Sequence, residues 1–225
     1  MHLLHDSNTI GRSVSSECEG RLHMGPERVA IFIDGSNLYH ALEGTLKRHD
    51  LDFTQFVAKL CGDRCLFRTY YYNALQDVSV RPDAFKEQQE FLDTLRKTPY
   101  LEVRLGTIKT AQGTQVEKGV DIMLGTDLLY FAWKDLYDTA VLVSGDADFA
   151  YALQTVKNMG KHVEVAYFEG ATARELLAVA DVRQQLDNDF LSTLWTRRKP
   201  RRRRRGGSGS GSQDNSSEDR QQKPS

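Results

Sequence analysis

Cysteine is scarce in this chain. Three residues among 225, Cys18, Cys61 and Cys65, cannot form a disulfide framework, and the scarcity fits a reducing, cytoplasmic compartment. Nowhere do about 18 apolar residues follow one another, which excludes a membrane-spanning helix. The first 25 residues lack a basic start followed by an apolar stretch, so no secretory signal is expected. No internal repeat is visible. An excess of one charge is missing too: Lys and Arg number 30, Asp and Glu 31, for a net charge of −1.

That balance averages unlike parts. Residues 1–196 carry 20 Lys and Arg against 28 Asp and Glu, a net of −8, while Arg197–Arg205 place eight positive charges in nine residues. An acidic body therefore carries a basic arm, and a like-charge block of this kind is normally disordered and often binds partners. RNA phosphates, an acidic protein partner, a nuclear-localisation role and simple solubility all suit such an arm. Residues 1–26, mixed and without periodicity, read as a flexible extension. Residues 197–225, basic and then Gly/Ser-rich, read as a disordered tail. One folded domain of about 170 residues, 27–196, remains.

Within it, strands and helices alternate. Val29–Ile33 is a continuous apolar run, as expected of a strand buried on both faces. Helices are expected over Ser36–Lys47 and Phe53–Leu60, then a strand over Leu66–Tyr72. A helix over Asp83–Lys97 begins behind Pro82, and Leu101–Leu105 is a strand. Asp121–Trp133 reads as a largely buried helix on the strength of Ile122, Leu124, Leu128, Leu129 and Phe131. Ala140–Ser144 is a strand, Phe149–Met159 a helix stopped by Gly160, and His162–Tyr167 a fifth strand. Helices over Ala173–Val179 and toward Trp195 close the domain. The pattern predicts an α/β fold: a three-layer, Rossmann-like sandwich with a mostly parallel sheet of about five strands.

Such sheets bind ligands beyond the carboxyl ends of their strands. Two acidic signals fall there. Val29–Ile33 delivers Asp34, followed by Gly35, read as permitting a sharp turn, and by Ser36 and Asn37, either able to cap the next helix. Ala140–Val143 leads into Ser144-Gly145-Asp146-Ala147-Asp148. Either Asp after a strand could be a helix cap, Asp148 above all. Three carboxylates at two strand ends repel one another unless a cation neutralises them, and hard oxygen ligands suit Mg²⁺ or Mn²⁺. Asp121 opens the apolar helix as a further candidate. Asp127, six residues on, points about 120° away from it, and is either a supporting or a structural residue.

Ile33-Asp34-Gly35-Ser36-Asn37, Lys118-Gly119-Val120-Asp121 and Ser144-Gly145-Asp146-Ala147-Asp148-Phe149 resemble three signatures of NYN domains, in the LabA-like branch of the PIN-like ribonuclease superfamily. The resemblance spans about Arg28–Leu194. It implies a PIN-like sandwich that hydrolyses RNA phosphodiesters, with Asp34, Asp121, Asp146 and Asp148 as catalytic carboxylates holding Mg²⁺ or Mn²⁺. Asn37 and Ser144 would support substrate or a water on the metal, and Lys118 would hold a phosphate unless it is simply solvated. Single-stranded RNA is the expected partner, with the basic tail reaching its phosphates; self-association stays open, and no membrane is involved. The expected activity is that of a metal-dependent ribonuclease, endonucleolytic, against the alternative of a non-catalytic RNA- or partner-binding module on the same fold.

Other chemistries fit worse. His23, His40, His49 and His162 have no ligand spacing, and no Ser/His/Asp or Cys/His arrangement competes. Cys61 and Cys65 are spaced as in zinc sites, but no second pair completes four ligands. A nucleotide-sugar transferase could use Asp146 and Asp148, yet leaves Asp34 unexplained and lacks room for an acceptor domain. A haloacid-dehalogenase-type phosphatase would need a carboxylate where Ser36 stands. Tyr70-Tyr71-Tyr72 could stack bases, although a strand with one packed and one partly exposed face is the preferred reading. The polar stretch Thr110–Gln115 reads as a loop able to close over substrate.

Overall fold

The computed structural model describes residues 26–111 and 114–196. The expected N-terminal extension up to residue 25 and the basic tail from residue 197 lie outside the described residues. In chain order the elements are β1 (Arg28–Asp34), α1 (Gly35–Leu46), α2 (Phe53–Cys61), β2 (Cys65–Leu75), α3 (Pro82–Leu95), β3 (Leu101–Ala111) and β4 (Thr114–Lys118). There follow α4 (Val120–Trp133), β5 (Thr139–Val143), a short 3₁₀ turn (Ala147–Phe149), α5 (Ala150–Asn158) and β6 (His162–Tyr167). The last are α6 (Arg174–Val179), β7 (Val182–Gln185) and α7 (Asn188–Leu191). No helix among the described residues is long and apolar enough to cross a membrane.

The strands form one sheet of order β4-β3-β2-β1-β5-β6-β7. Six are parallel, and β4 runs antiparallel to β3. The α/β sandwich is as expected, but the sheet has seven strands rather than about five. Both added strands are edge strands, Thr114–Lys118 and Val182–Gln185, with polar sequences. A strand at an edge needs no two-sided apolar run, so hydrophobic patterning does not reveal it. Thr110 and Ala111 pair with Gln115 and Thr114. Within the segment read as a loop, residues 110, 111, 114 and 115 are thus paired strand.

Side chains of β1 alternate between two cores, as the period-2 pleat requires. Val29, Ile31 and Ile33 join residues of α1, α2 and α3 on one face, while Ala30 and Phe32 join residues of α4 and α5 on the other. The tyrosine run follows the same alternation. Tyr71 packs in the first core, and Tyr70 and Tyr72 in the second. All three are buried, because β2 is an interior strand covered on both faces. The partly exposed face expected at these tyrosines is not found; within the expected strand Leu66–Tyr72 the half-buried residues come before them, at Leu66, Phe67 and Arg68. Helix α4 corrects its expectation the other way. Ile122, Tyr130 and Trp133 are exposed, since a helix in an outer layer can press only one face on the sheet.

Candidate functional site

From β1 the chain moves outward through β2 and β3, then returns to lay β5 on the other side of β1. The direction of strand order reverses between β1 and β5, and open α/β sheets leave a crevice beyond the strand ends at that place. Asp34, the last residue of β1, and Ser144, the first beyond β5, meet there.

Asp34 is 5% exposed. Its Oδ1 accepts the Asn37 backbone N–H at 3.0 Å and caps α1. Its Oδ2 accepts the Ser144 hydroxyl at 3.0 Å. That hydroxyl oxygen in turn accepts the Asp146 N–H at 3.1 Å, while Asn37 Oδ1 accepts the Gly145 N–H at 2.8 Å. Two segments more than a hundred residues apart are thereby stitched together. Asp146 Oδ1 accepts the Asp148 N–H at 3.0 Å and caps the 3₁₀ turn.

Burial pushes the Asp34 carboxyl above its usual range. The hydrogen bonds from Asn37 and Ser144 oppose this, and the nearby carboxylates of Asp121 and Asp146 reinforce it. The net result is a carboxylate whose charge is costly as long as nothing positive faces it.

Of the sequence-derived residues, the fold groups Asp34, Asn37, Ser144 and Asp146 through hydrogen bonds. Asp121, in the first turn of α4, joins them through its field at Asp34. Asp148 is exposed and connects to this group through its backbone. Lys118, also exposed, ends β4 opposite Thr107. Asp127 is a different matter. Buried in α4, it accepts the Tyr72 hydroxyl at 2.8 Å and pairs with Arg104, whose guanidinium lies 5.0 Å from the Tyr70 ring centroid. It is structural, tying α4 to β2 and β3.

The two glycines after the acidic strands are required for space. Gly35 has ordinary helical geometry rather than the left-handed backbone that would demand glycine, so the expected sharp turn is not its reason. A Cβ there would run into the Tyr71 ring and stand 2.7 Å from the Tyr72 carbonyl oxygen. A Cβ on Gly145 would collide with the Ala171 carbonyl oxygen. Both positions let neighbouring chain segments close around Asp34.

Among the described residues no three of His, Cys, Asp and Glu stand close enough together to clasp a metal ion. The donor set nevertheless fits a hard cation held by few protein ligands. Each Asp34 oxygen accepts a hydrogen bond and has a second lone pair. Mg²⁺ commonly takes one or two carboxylates and keeps its waters. Among the described residues the Cys61–Cys65 pair gains no partners for zinc: Cys61 is buried with its Sγ on the Arg64 carbonyl, and Cys65 is exposed.

Beside Asp34, beginning at Gly35 and Ser36, a cavity of about 620 Å³ opens between α1, the far end of β2 and α3. Tyr39, His40, His49, Gln76 and Arg81 line it. No local motif marks these residues in the sequence. His40 and His49 have no ligand spacing, and the signal that unites them, a shared ring contact with Tyr39, exists only in three dimensions.

A model of the NYN domain family matches residues 28–187. The protein "Low amplitude and bright protein LabA" of Synechococcus elongatus is 28% identical over 182 residues, covering 78% of this chain and 91% of its own. A crystal structure of a protein of unknown function from Vibrio parahaemolyticus superposes with a TM-score of 0.64 at 24% identity. That match covers 76% of this chain and 99% of the other, a likeness of fold. With the family match extending over most of the chain, the protein belongs to the NYN domain family.

Proposed function

We propose that the chain is a metal-dependent ribonuclease that cleaves single-stranded RNA endonucleolytically. The observation that carries this is the Asp34 carboxylate. It is buried, burdened by the charges of Asp121 and Asp146, and set at the crevice where such sheets bind ligands. A group whose ionisation is unfavourable among its own neighbours is suited to receiving a cation.

Asp34, Asp121, Asp146 and Asp148 are the residues that would hold Mg²⁺ or Mn²⁺, with waters completing the shell. Once bound, the ion supplies Lewis-acid stabilisation to the phosphodiester and the attacking water. Ser144 and Asn37 act as positioning residues. Ser144 orients Asp34 and the Asp146 backbone together, and Asn37 fixes the Gly145 turn. Lys118, exposed at the end of β4, would contact a phosphate. Residues 197–205 would add sequence-independent attraction for the strand, with a log-affinity against log-salt slope of about −0.7 for each phosphate contacted.

The test is cleavage of single-stranded RNA by purified protein with Mg²⁺ or Mn²⁺. Asp34→Asn and Asp146→Asn should each abolish it with the fold intact. Equal RNA decay in the double variant, or none with any divalent cation, would sink the assignment. The alternative, a module that binds RNA or a partner and turns over nothing, is favoured by one feature: no three-ligand cluster is formed among the described residues. Tight RNA binding without cleavage would select it.

A further inference from the structure

We propose that the cavity between α1 and α3 seats a single nucleobase of the RNA strand next to the cleaved bond. This rests on the ribonuclease reading for the identity of the strand, but the cavity's own features point to a nucleotide.

Its size and position suit one. At about 620 Å³ the cavity falls within the roughly 300–1,000 Å³ of small-molecule sites. Its lining includes Gly35 and Ser36, the residues directly after Asp34. A base seated here therefore belongs to a nucleotide adjoining the carboxylate group.

One wall is aromatic and open. Tyr39 is 47% exposed. Its ring lies 5.7 Å from that of His40 and 5.4 Å from that of His49, both residues lining the same cavity. An exposed cluster of three rings contributes little to a core. It does offer the flat face on which unpaired bases stack regardless of sequence.

The polar side of the cavity carries an unmet acceptor. Gln88 has both ends of its amide engaged with main chain, accepting the Gln76 N–H and donating to the Ala74 carbonyl, each at 2.8 Å. The neighbouring Gln76 side chain differs: its Oε1 is buried and has no hydrogen-bond partner among the described residues. Buried acceptors are normally satisfied, and since this one has almost no accessible surface, a ligand donor completes it once the Gln76 amide turns into the cavity that the residue lines. The exocyclic amine of adenine, guanine or cytosine supplies such a donor at the base edge, where uracil carries two carbonyls flanking a single, recessed N3–H.

Charge at the rim agrees. Arg81, exposed at the start of α3, has no ion pair among the described residues and lines the cavity. It is available to a phosphate, although Glu87 also lines the cavity and tempers the attraction.

The experiment titrates AMP, GMP, CMP, UMP and adenosine into the full chain in excess EDTA, read by calorimetry and tyrosine fluorescence. Neither metal nor turnover then enters. The amino-bearing nucleotides should bind more tightly than UMP, and Gln76→Leu should level that preference. Tyr39→Ala should weaken all of them by about 5- to 160-fold, the range expected for losing one stacked base. Arg81→Gln should weaken AMP and leave adenosine unchanged. Binding with this pattern supports the assignment even in a protein that cleaves no RNA, a result that would remove only the ribonuclease reading. No binding of any nucleotide, or unchanged binding in folded Tyr39→Ala and Gln76→Leu, overturns it even if RNA is cleaved.

Discussion

Asp34→Asn should make the metal-free protein more stable. The carboxylate is buried, and its charge is disfavoured by desolvation and by Asp121 and Asp146. Asparagine keeps what the fold needs from this position. Its Oδ1 can accept the Asn37 N–H, and Asn caps helices about as well as Asp. Its amide can donate to Ser144 Oγ, which has a second lone pair beside the one used by the Asp146 N–H. The cap therefore survives while the buried charge and its repulsions disappear. A gain of about 1 kcal/mol is expected, or about 2–4 °C in Tm for a domain of this size.

Asp34→Ala isolates the cap. It also removes the charge, but loses a cap contribution of about 1 kcal/mol, and should fall below Asp34→Asn by at least that amount. The pH dependence has a definite sign. Because the native pKa is raised, the native state binds the extra proton between the unfolded and native values. Wild-type stability should therefore fall as pH rises through that window and level off above it; Asp34→Asn should lack this component. Urea denaturation in EDTA, with midpoints compared at constant slope, measures all of this. A divalent cation at 100 times its Kd should then stabilise wild type by about 2.7 kcal/mol. A destabilisation of about 1 kcal/mol or more in Asp34→Asn, the size of a typical point substitution, would refute the reasoning and make Asp34 a structural hub.

Asp127→Ala should cost about 2 kcal/mol, because it leaves the buried Tyr72 hydroxyl without its acceptor and takes from Arg104 one of two carboxylates, Glu102 remaining at 3.1 Å. An unfolding free energy from urea denaturation within about 0.5 kcal/mol of wild type (the size of a neutral surface change) would show that the pair is not holding α4 to the sheet. Gly145→Ala should destabilise by about 1–3 kcal/mol through its collision with the Ala171 carbonyl, and wild-type stability in that variant would contradict the close approach. Replacing the basic residues of 197–205 by Gln should flatten the salt dependence of RNA binding by about 0.7 for each phosphate that the tail no longer neutralises; an unchanged slope would free the tail from that role.

Most of the architecture was legible along the chain. The continuous apolar runs at Val29–Ile33 and Ala140–Val143 announce strands covered on both faces, and these bury every residue of β5 and all of β1 beyond Arg28. The edge strands β4 and β7 were not legible, since their pairing comes from backbone hydrogen bonds that leave no mark on polar side chains. At the site, local chemistry announced Asp34 and Asp146, each placed after a strand and each a cap. Helical periodicity separated Asp121 from Asp127, but only the neighbours Tyr72 and Arg104 assigned Asp127 to structure.

What the sequence determined by itself is whatever a residue's own type and near neighbours control: strand burial, helix limits, and carboxylates at strand ends. Tertiary structure decided what depends on parts remote in the chain. It set Ser144 on Asp34 across 110 residues, made the glycines at 35 and 145 matters of space, and gathered Tyr39, His40, His49, Gln76 and Arg81 around one cavity. A strand's pattern records which of its faces is covered. It holds no record of which distant residues the sheet order will bring to its end.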